Sequence, residues 1–306
     1  MPPVEERLDR HDALSTSLLE RSAPLGRSLA DALCRTNNGR DDCGALHGVW
    51  LDLRLLNLAA DPQRHADFYG EALGTCAATD TSPRVLISAC ADWGMLAATV
   101  DAYRRHGARL DVTVIDRCPT PLLLCAWYGS EVGVPIRTAA ADASQFDERA
   151  AFDVICTHSL LTYAPLDGRR RLVANWHRLL RRGGVVVTVT RLQQGSDPVP
   201  AQGDPGMERA RLFGDIANER LQQLVTDRLA SDRDIAQLRA RAERFAVAQI
   251  SHPVGSDADL RALFEQAGFD VIRLDVRHLP GMLGSREPIG GAARSGAYGE
   301  IVAVKR

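Results

Sequence analysis

At 306 residues and a formal net charge of −2, the chain can hold one large domain or two ordinary ones, and it carries no global field toward nucleic acid or membrane. No apolar run approaches the ~18 residues of a membrane span, and the charged start Met-Pro-Pro-Val-Glu-Glu-Arg lacks an apolar signal core, so a soluble, cytoplasmic protein is expected. Cys34, Cys43, Cys76, Cys90, Cys118, Cys125 and Cys156 are irregularly spaced with no C-x-x-C, which points to reduced thiols, with neither a zinc site nor a disulfide framework indicated.

Residues 1–80 read as a helical N-terminal extension. Leu8, Leu14, Leu18 and Leu19 recur at near-helical spacing, and Leu29 and Leu33 suggest a second helix ended by Asn37-Asn38-Gly39. The strongly apolar segment 49–58 reads as a buried helix. Asp61-Pro62 then opens a helix through about Leu73 that carries His65, Phe68 and Tyr69.

From Arg84 the chain alternates strand and helix. Val85-Leu86-Ile87 has the character of a buried parallel strand. The small residues Ser88-Ala89-Cys90-Ala91 follow, and then helical spacing from Met95 to near His106-Gly107. A strand, a turn of small side chains and a helix start form a cradle, with unpaired N–H groups and room for close backbone approach. The glycines of a dinucleotide fingerprint are replaced here by Ala89 and Ala91, with only Gly94 kept. Alanine permits close approach but not the positive φ that glycine accepts. Taken alone, the stretch also reads as an ordinary strand–turn–helix without a ligand.

Further strands are expected at 110–115, 134–140, 152–157 and 185–190, with a helix over 122–128. Another helix, capped by Asp167, ends before Gly183-Gly184. Arg169-Arg170-Arg171 reads as a solvated helix face. A loop over 193–205 precedes an amphipathic helical stretch, 207–248, broken near Ser231-Asp232. Ser256 caps a short helix ended by Gly268, and strands at 270–276 and 298–304 flank a glycine-rich connection, 278–296. Five strands with intervening helices imply a doubly wound α/β fold with a mostly parallel sheet. Asp116 ends the second strand, 25 residues past Ala91, close to the ~20-residue offset at which an acid meets a ribose. Asp142 closes the third strand and His158-Ser159 the fourth, so these residues converge on the crevice outside the strands' carboxyl ends.

In that order and spacing the chain resembles the class I S-adenosylmethionine (SAM) dependent methyltransferases over Arg84 to Lys305. The resemblance implies a seven-stranded Rossmann-like sheet with an antiparallel last strand, in a domain spanning 81–306 with a helical insertion at 206–248. Gln266-Ala267-Gly268-Phe269 and the strand Tyr298-Gly299-Glu300-Ile301-Val302-Ala303-Val304 match the family's C-terminal hairpin. Ala89, Cys90, Ala91 and Asp92 stand where the family has its first motif. Asp116, followed by Arg117, matches the acid on the ribose, Asp142-Ala143 the adenine side, and His158 and Ser159 the fourth strand end. Asp92 either accepts from the methionine ammonium, with Trp93 packed over it, or simply caps the next helix.

Methyl transfer needs positioning and, for some acceptors, a base. His158 and Tyr163 are the candidates, and His158 equally suits a cofactor-pocket role. The expected acceptor is a small molecule of specialised metabolism, methylated at oxygen, nitrogen or carbon; no nucleic acid or membrane partner is expected, no metal, and a homodimer is compatible. Trp50, Arg54, His65 and Tyr69 are candidate acceptor-binding residues, on helices that together with 207–248 would close as a lid. Two alternatives stay open: aminocarboxypropyl transfer or cyclisation of SAM releasing methylthioadenosine, and a non-catalytic SAM-fold binding protein.

Overall fold

A computed structural model describes residues 4–34, 42–59, 61–79, 82–193, 204–226, 232–248, 250–279 and 296–306. The expected helix stop at Asn37-Asn38-Gly39, most of the loop at 193–205 and most of the connection at 278–296 lie outside the described residues. The chain falls into two compact units, Met1–Ala60 with Ala201–Gln249, and Asp61–Pro200 with Ile250–Arg306. The division comes at 60/61, twenty residues before the boundary read from the sequence. A 3-10 turn, Pro62–His65, and the helix α4 (Ala66–Thr79) group with the sheet because they pack along the sheet helix α5 (Gly94–Arg105).

The helical unit contains α1 (Val4–Leu33), α2 (Cys43–His47), α3 (Trp50–Leu55), α8 (Asp204–Thr226) and α9 (Asp232–Ala248). The two helices expected before residue 34 are one, running through Pro24. The apolar segment at 49–58 is helical only as far as Leu55, and Asn57 turns the chain at φ +54°. Arg220 donates to the carbonyls of Leu56 and Asn57 (2.6 and 3.1 Å), acceptors that the end of a helix leaves over. Trp50, Phe213 and Phe245 form the aromatic part of this unit's core. Two arginines of α9 hold α2: Arg244 Nε meets the Asp42 carboxylate at 3.1 Å, and Arg241 donates to the Gly48 carbonyl at 3.3 Å.

The second unit is a seven-stranded sheet in the order β3-β2-β1-β4-β5-β7-β6, with helices on both faces. Its strands are β1 (Arg84–Ser88), β2 (Asp111–Asp116), β3 (Ile136–Ala140), β4 (Phe152–His158), β5 (Leu180–Leu192), β6 (Phe269–Leu279) and β7 (Gly296–Lys305). The first five pair parallel, and β7 inserts antiparallel between β5 and β6. This is the doubly wound, mostly parallel sheet with an antiparallel last strand that the sequence implies. The connecting helices include α6 (Pro119–Val132), which starts three residues earlier than expected and stops at left-handed Gly133 (φ +68°), and α7 (Leu166–Leu179). Pro165 precedes α7, so Asp167 sits in its first turn and does not cap it. The last helix, α10 (Asp257–Gln266), carries the expected Ser256 cap, reinforced into a capping box by Asp259. Val85, Leu86, Ile87, Ile155, Trp176, Val186 and Phe264 are among the fully enclosed core residues. Among the described residues no helix is long and apolar enough to cross a membrane.

One expectation fails in an informative way. Arg169, read as part of a solvated arginine face, is buried, and it donates to the carbonyls of Ala164 (2.8 Å) and Pro253 (2.6 Å). Arg170 and Arg171 on the same helix are exposed. Arg169 thereby ties the chain leaving β4 to the segment entering α10. Replacing it by leucine strands the buried Pro253 carbonyl and the half-buried Ala164 carbonyl and should destabilise the fold by about 2–4 kcal/mol. Urea unfolding checks this, and an unchanged midpoint would show that the two bonds are not needed.

Candidate active site

The sheet register lines up the expected site residues. Ala140 pairs with Asp116, His158 with Val189, and Val189 with Glu300. β1 pairs with its neighbours through Ser88↔Ile115 and Ile87↔Cys156, so Ala89, just past the strand end, stands level with Asp116 on one side and His158 on the other. One row at the carboxyl edge thus carries Asp116, Ala89, His158 and Glu300. With strands ~4.8 Å apart, Asp116 and His158 lie on strands about 10 Å apart, and His158 and Glu300 the same again.

Ala89 adopts φ +63°, the left-handed conformation that the sequence reading held against alanine, while its N–H still donates to the Ile115 carbonyl at 2.9 Å. Ser159, at the end of the adjacent β4, is also left-handed (φ +54°). Left-handed turns thus follow two neighbouring strand ends, β1 and β4. The Asp116 carboxylate accepts from the backbone N–H of Cys90 (3.1 Å) and of Cys118 (2.7 Å), which stitches the ends of β1 and β2 together. Ala91 is half-buried and Arg117 exposed. The Cys90 thiol faces Cys125 (3.9 Å), and that contact, with burial, pushes its pKa well up, so it serves packing and no thiolate chemistry.

Asp92 is buried and its carboxylate accepts the Gly94 N–H at 2.5 Å, which fits the helix-start alternative. Trp93 does not reach over a ligand: it is buried and stacks on Tyr128, with ring centroids 4.9 Å apart and planes at 8°. On the β3 side, Asp142 accepts from the Ser144 hydroxyl (2.7 Å) and N–H (2.8 Å). Partial burial would raise the Asp142 pKa, but these bonds, with Arg117 and Arg171 nearby, hold it below the usual value. Asn175 of α7 donates to the carbonyls of Ala143 (2.8 Å) and Phe146 (3.1 Å), which fixes the loop beyond Asp142.

The acceptor-side candidates divide. Trp50 and Arg54 are buried in the helical unit, where the Trp50 ring packs 6.2 Å from Phe245. His65 and Tyr69 belong to the sheet unit and project from one helical face, being four residues apart. The Tyr69 hydroxyl donates to the Thr157 carbonyl (2.9 Å) and lies 3.0 Å from His158 Nδ1. A carbonyl can only accept, so the phenol proton goes to Thr157 and the phenol oxygen accepts from Nδ1–H. That leaves Nε2 as the basic nitrogen of His158. Burial, above all, raises the Tyr69 pKa well beyond its ordinary value, so the phenol stays protonated.

His65 is almost fully enclosed; its Nδ1 meets Glu300 Oε1 at 2.7 Å, and its Nε2 is buried with no hydrogen-bond partner. Its ring lies 5.6 Å from that of His158 and 5.1 Å from that of Tyr298. Arg277 Nη1 stands 3.7 Å from the same Glu300 oxygen. Tyr163, the other candidate base, is 43% exposed on the 3-10 turn Leu160–Tyr163. Glu300 was missed from the sequence as a site residue. Its signal is an acid within the otherwise apolar strand Tyr298 to Val304, where burial demands a partner.

Residues 91–188 match the family described as "Methyltransferase domain". A search of curated proteins finds no match. Among solved structures, a proposed sarcosine dimethylglycine methyltransferase from Galdieria sulphuraria is similar at 13% identity, covering 79% of this chain and 86% of that one with a TM-score of 0.50. A SAM-dependent methyltransferase from Methanosarcina mazei is similar at 15% identity, over 76% of this chain and 96% of that one (TM-score 0.47). The cyclase SpnF aligns over 95% of this chain and 94% of its own at 14% identity (TM-score 0.49).

The strained turn makes a direct prediction. Ala89→Gly relieves a left-handed alanine that costs ~1–2 kcal/mol, against ~0.5–1 kcal/mol of extra chain entropy lost by glycine on folding. The variant should be more stable by about 0.5–1 kcal/mol in denaturant unfolding. A lower midpoint would mean that the turn is not strained as described.

Proposed function

Because the chain carries a class I, Rossmann-like SAM-dependent methyltransferase domain, we propose that it transfers the SAM methyl group to a small-molecule acceptor of specialised metabolism, at an atom whose proton passes to His158. The observation that carries this reading is the single row of Asp116, Ala89, His158 and Glu300 at the carboxyl edge of the sheet. The donor set suits the cofactor: a half-buried carboxylate beside a turn of small residues for the ribose, and Asp142 with Ala143 for the adenine. Arg117, Cys90, Ala91 and Ser159 complete the proposed cofactor residues, with Asp92 acting through the helix start.

When bound, SAM supplies a methyl group already activated on its sulfonium. What remains for the protein is alignment, exclusion of water and removal of a proton. His158 is suited to the last task because Tyr69 fixes its tautomer and holds Nε2 basic. The His65–Glu300 pair offers a second polar atom, the buried Nε2 of His65, that an acceptor hydroxyl or amine would satisfy. Exposure argues against Tyr163 as the base, since a water-exposed phenol lacks the enclosed setting that proton transfer favours.

Turnover with SAM and a panel of small hydroxyl, amine and activated-carbon acceptors should release S-adenosylhomocysteine. Methylthioadenosine as the product would replace this reading with transfer or cyclisation at another sulfonium carbon. Asp116→Ala should weaken SAM binding by about 1–3 kcal/mol in calorimetry, the cost of ribose hydroxyls left without their acceptor. Unchanged affinity would remove Asp116 from the cofactor site. His158→Ala should lower kcat on the order of 10²-fold while SAM affinity holds, and an equal loss in both would make His158 a cofactor-pocket residue.

A further inference from the structure

We propose that Cys34, Cys43 and His47 form a binding site for a zinc-class divalent ion, an inference that does not depend on the methyl-transfer reading. Their ligand atoms all lie within 4.8 Å of one another, with Cys34 Sγ 3.4 Å from His47 Nδ1. Zinc bonds thiolate at ~2.3 Å and imidazole at ~2.0–2.1 Å, so two such ligands on one tetrahedral ion stand about 3.6 Å apart. The Cys34–His47 separation is already that of a tetrahedron's edge.

The sequence hides this site because the spacing is C-x8-C-x3-H and contains no C-x-x-C. The fold assembles it in two steps. Cys43 and His47, four apart on α2, fall on one helical face. Cys34 arrives from the end of α1, where its N–H still donates to the Ala30 carbonyl at 3.0 Å. His47 is buried and the two cysteines are half-buried, so the donors are enclosed but within reach of an entering ion.

A five-residue helix such as α2 is too short to hold itself. Asp42 accepts the Ala45 N–H at 3.2 Å, and α9 grips the helix from outside through Arg241 and Arg244. An ion joining α1 to α2 would supply the remaining constraint. Binding as two thiolates and a neutral imidazole releases two thiol protons to solvent for each ion bound. The fourth tetrahedral position is left to water or one further donor. Thiolate-rich donors with one imidazole favour zinc over calcium, magnesium or manganese.

The test uses the full chain, purified under reducing, chelator-free conditions, with its metal content measured directly. Zinc is then removed and cobalt(II) titrated in. Stoichiometric zinc is expected, together with a thiolate-to-cobalt charge-transfer band and the strong visible absorption of a tetrahedral site. Cys43→Ser should lose both. His47→Cys should keep the ion and strengthen the charge-transfer band, which tests the site even where Cys43→Ser misfolds. Folded wild-type protein with no zinc and no thiolate–cobalt band would overturn the proposal. So would unchanged metal content in the Cys34→Ser/Cys43→Ser double variant, or a Cys34–Cys43 disulfide in protein that takes up no metal.

Discussion

Hydrogen-bond register across the sheet is the constraint on which everything else rests. Parallel pairing from β3 through β5, continued antiparallel into β7, fixes Asp116, Ala89, His158 and Glu300 at one height along the carboxyl edge. Paired residues share a sheet face, so His158 and Glu300 point the same way across Val189. The 3-10 turn Pro62–His65 and α4 then lay His65 and Tyr69 over that face, with Tyr69 on His158 and His65 on Glu300. A slip of one residue in β7 would turn Glu300 to the opposite face and leave His65 without its acid.

Backbone strain gives that edge its shape. A fold built around a small-residue turn ordinarily places glycine where φ must be positive, and this chain places Ala89 there instead. The turn persists because both sides hold it: the Ala89 N–H donates to the Ile115 carbonyl, and the Asp116 carboxylate takes the next N–H, that of Cys90. Asp116 is therefore structural before any ligand arrives, and a bound ribose would have to share a carboxylate that already braces the turn. Ser159 repeats the left-handed step after β4.

Much of this was legible in the sequence, and the reasons are physical. The buried strands announce themselves because burial on both faces demands unbroken apolar runs such as Val85-Leu86-Ile87 and Val154-Ile155-Cys156. Their carboxyl-end residues follow from the doubly wound topology, so Asp116, Asp142 and His158 could be placed without coordinates. Residues whose partners come from far along the chain were not legible. Arg169 reads as solvated until Pro253 is brought to it. Glu300 meets His65 across a separation of 235 residues. The two alternatives for Asp92 and Trp93 stay open in the sequence because it cannot show that Trp93 stacks on Tyr128. Cys34, Cys43 and His47 likewise form a cluster only once α1 and α2 fold together.

The claim at the centre of this account is that the cofactor lies across the ends of β1 and β2 with its reacting end toward β4. A crystal structure of the chain with S-adenosylhomocysteine tests it most directly. Ribose hydroxyls hydrogen-bonded to Asp116 are expected, with the thioether sulfur on the side of the row that holds His158. A nucleoside bound elsewhere, with no ribose hydroxyl on the Asp116 carboxylate, would contradict it.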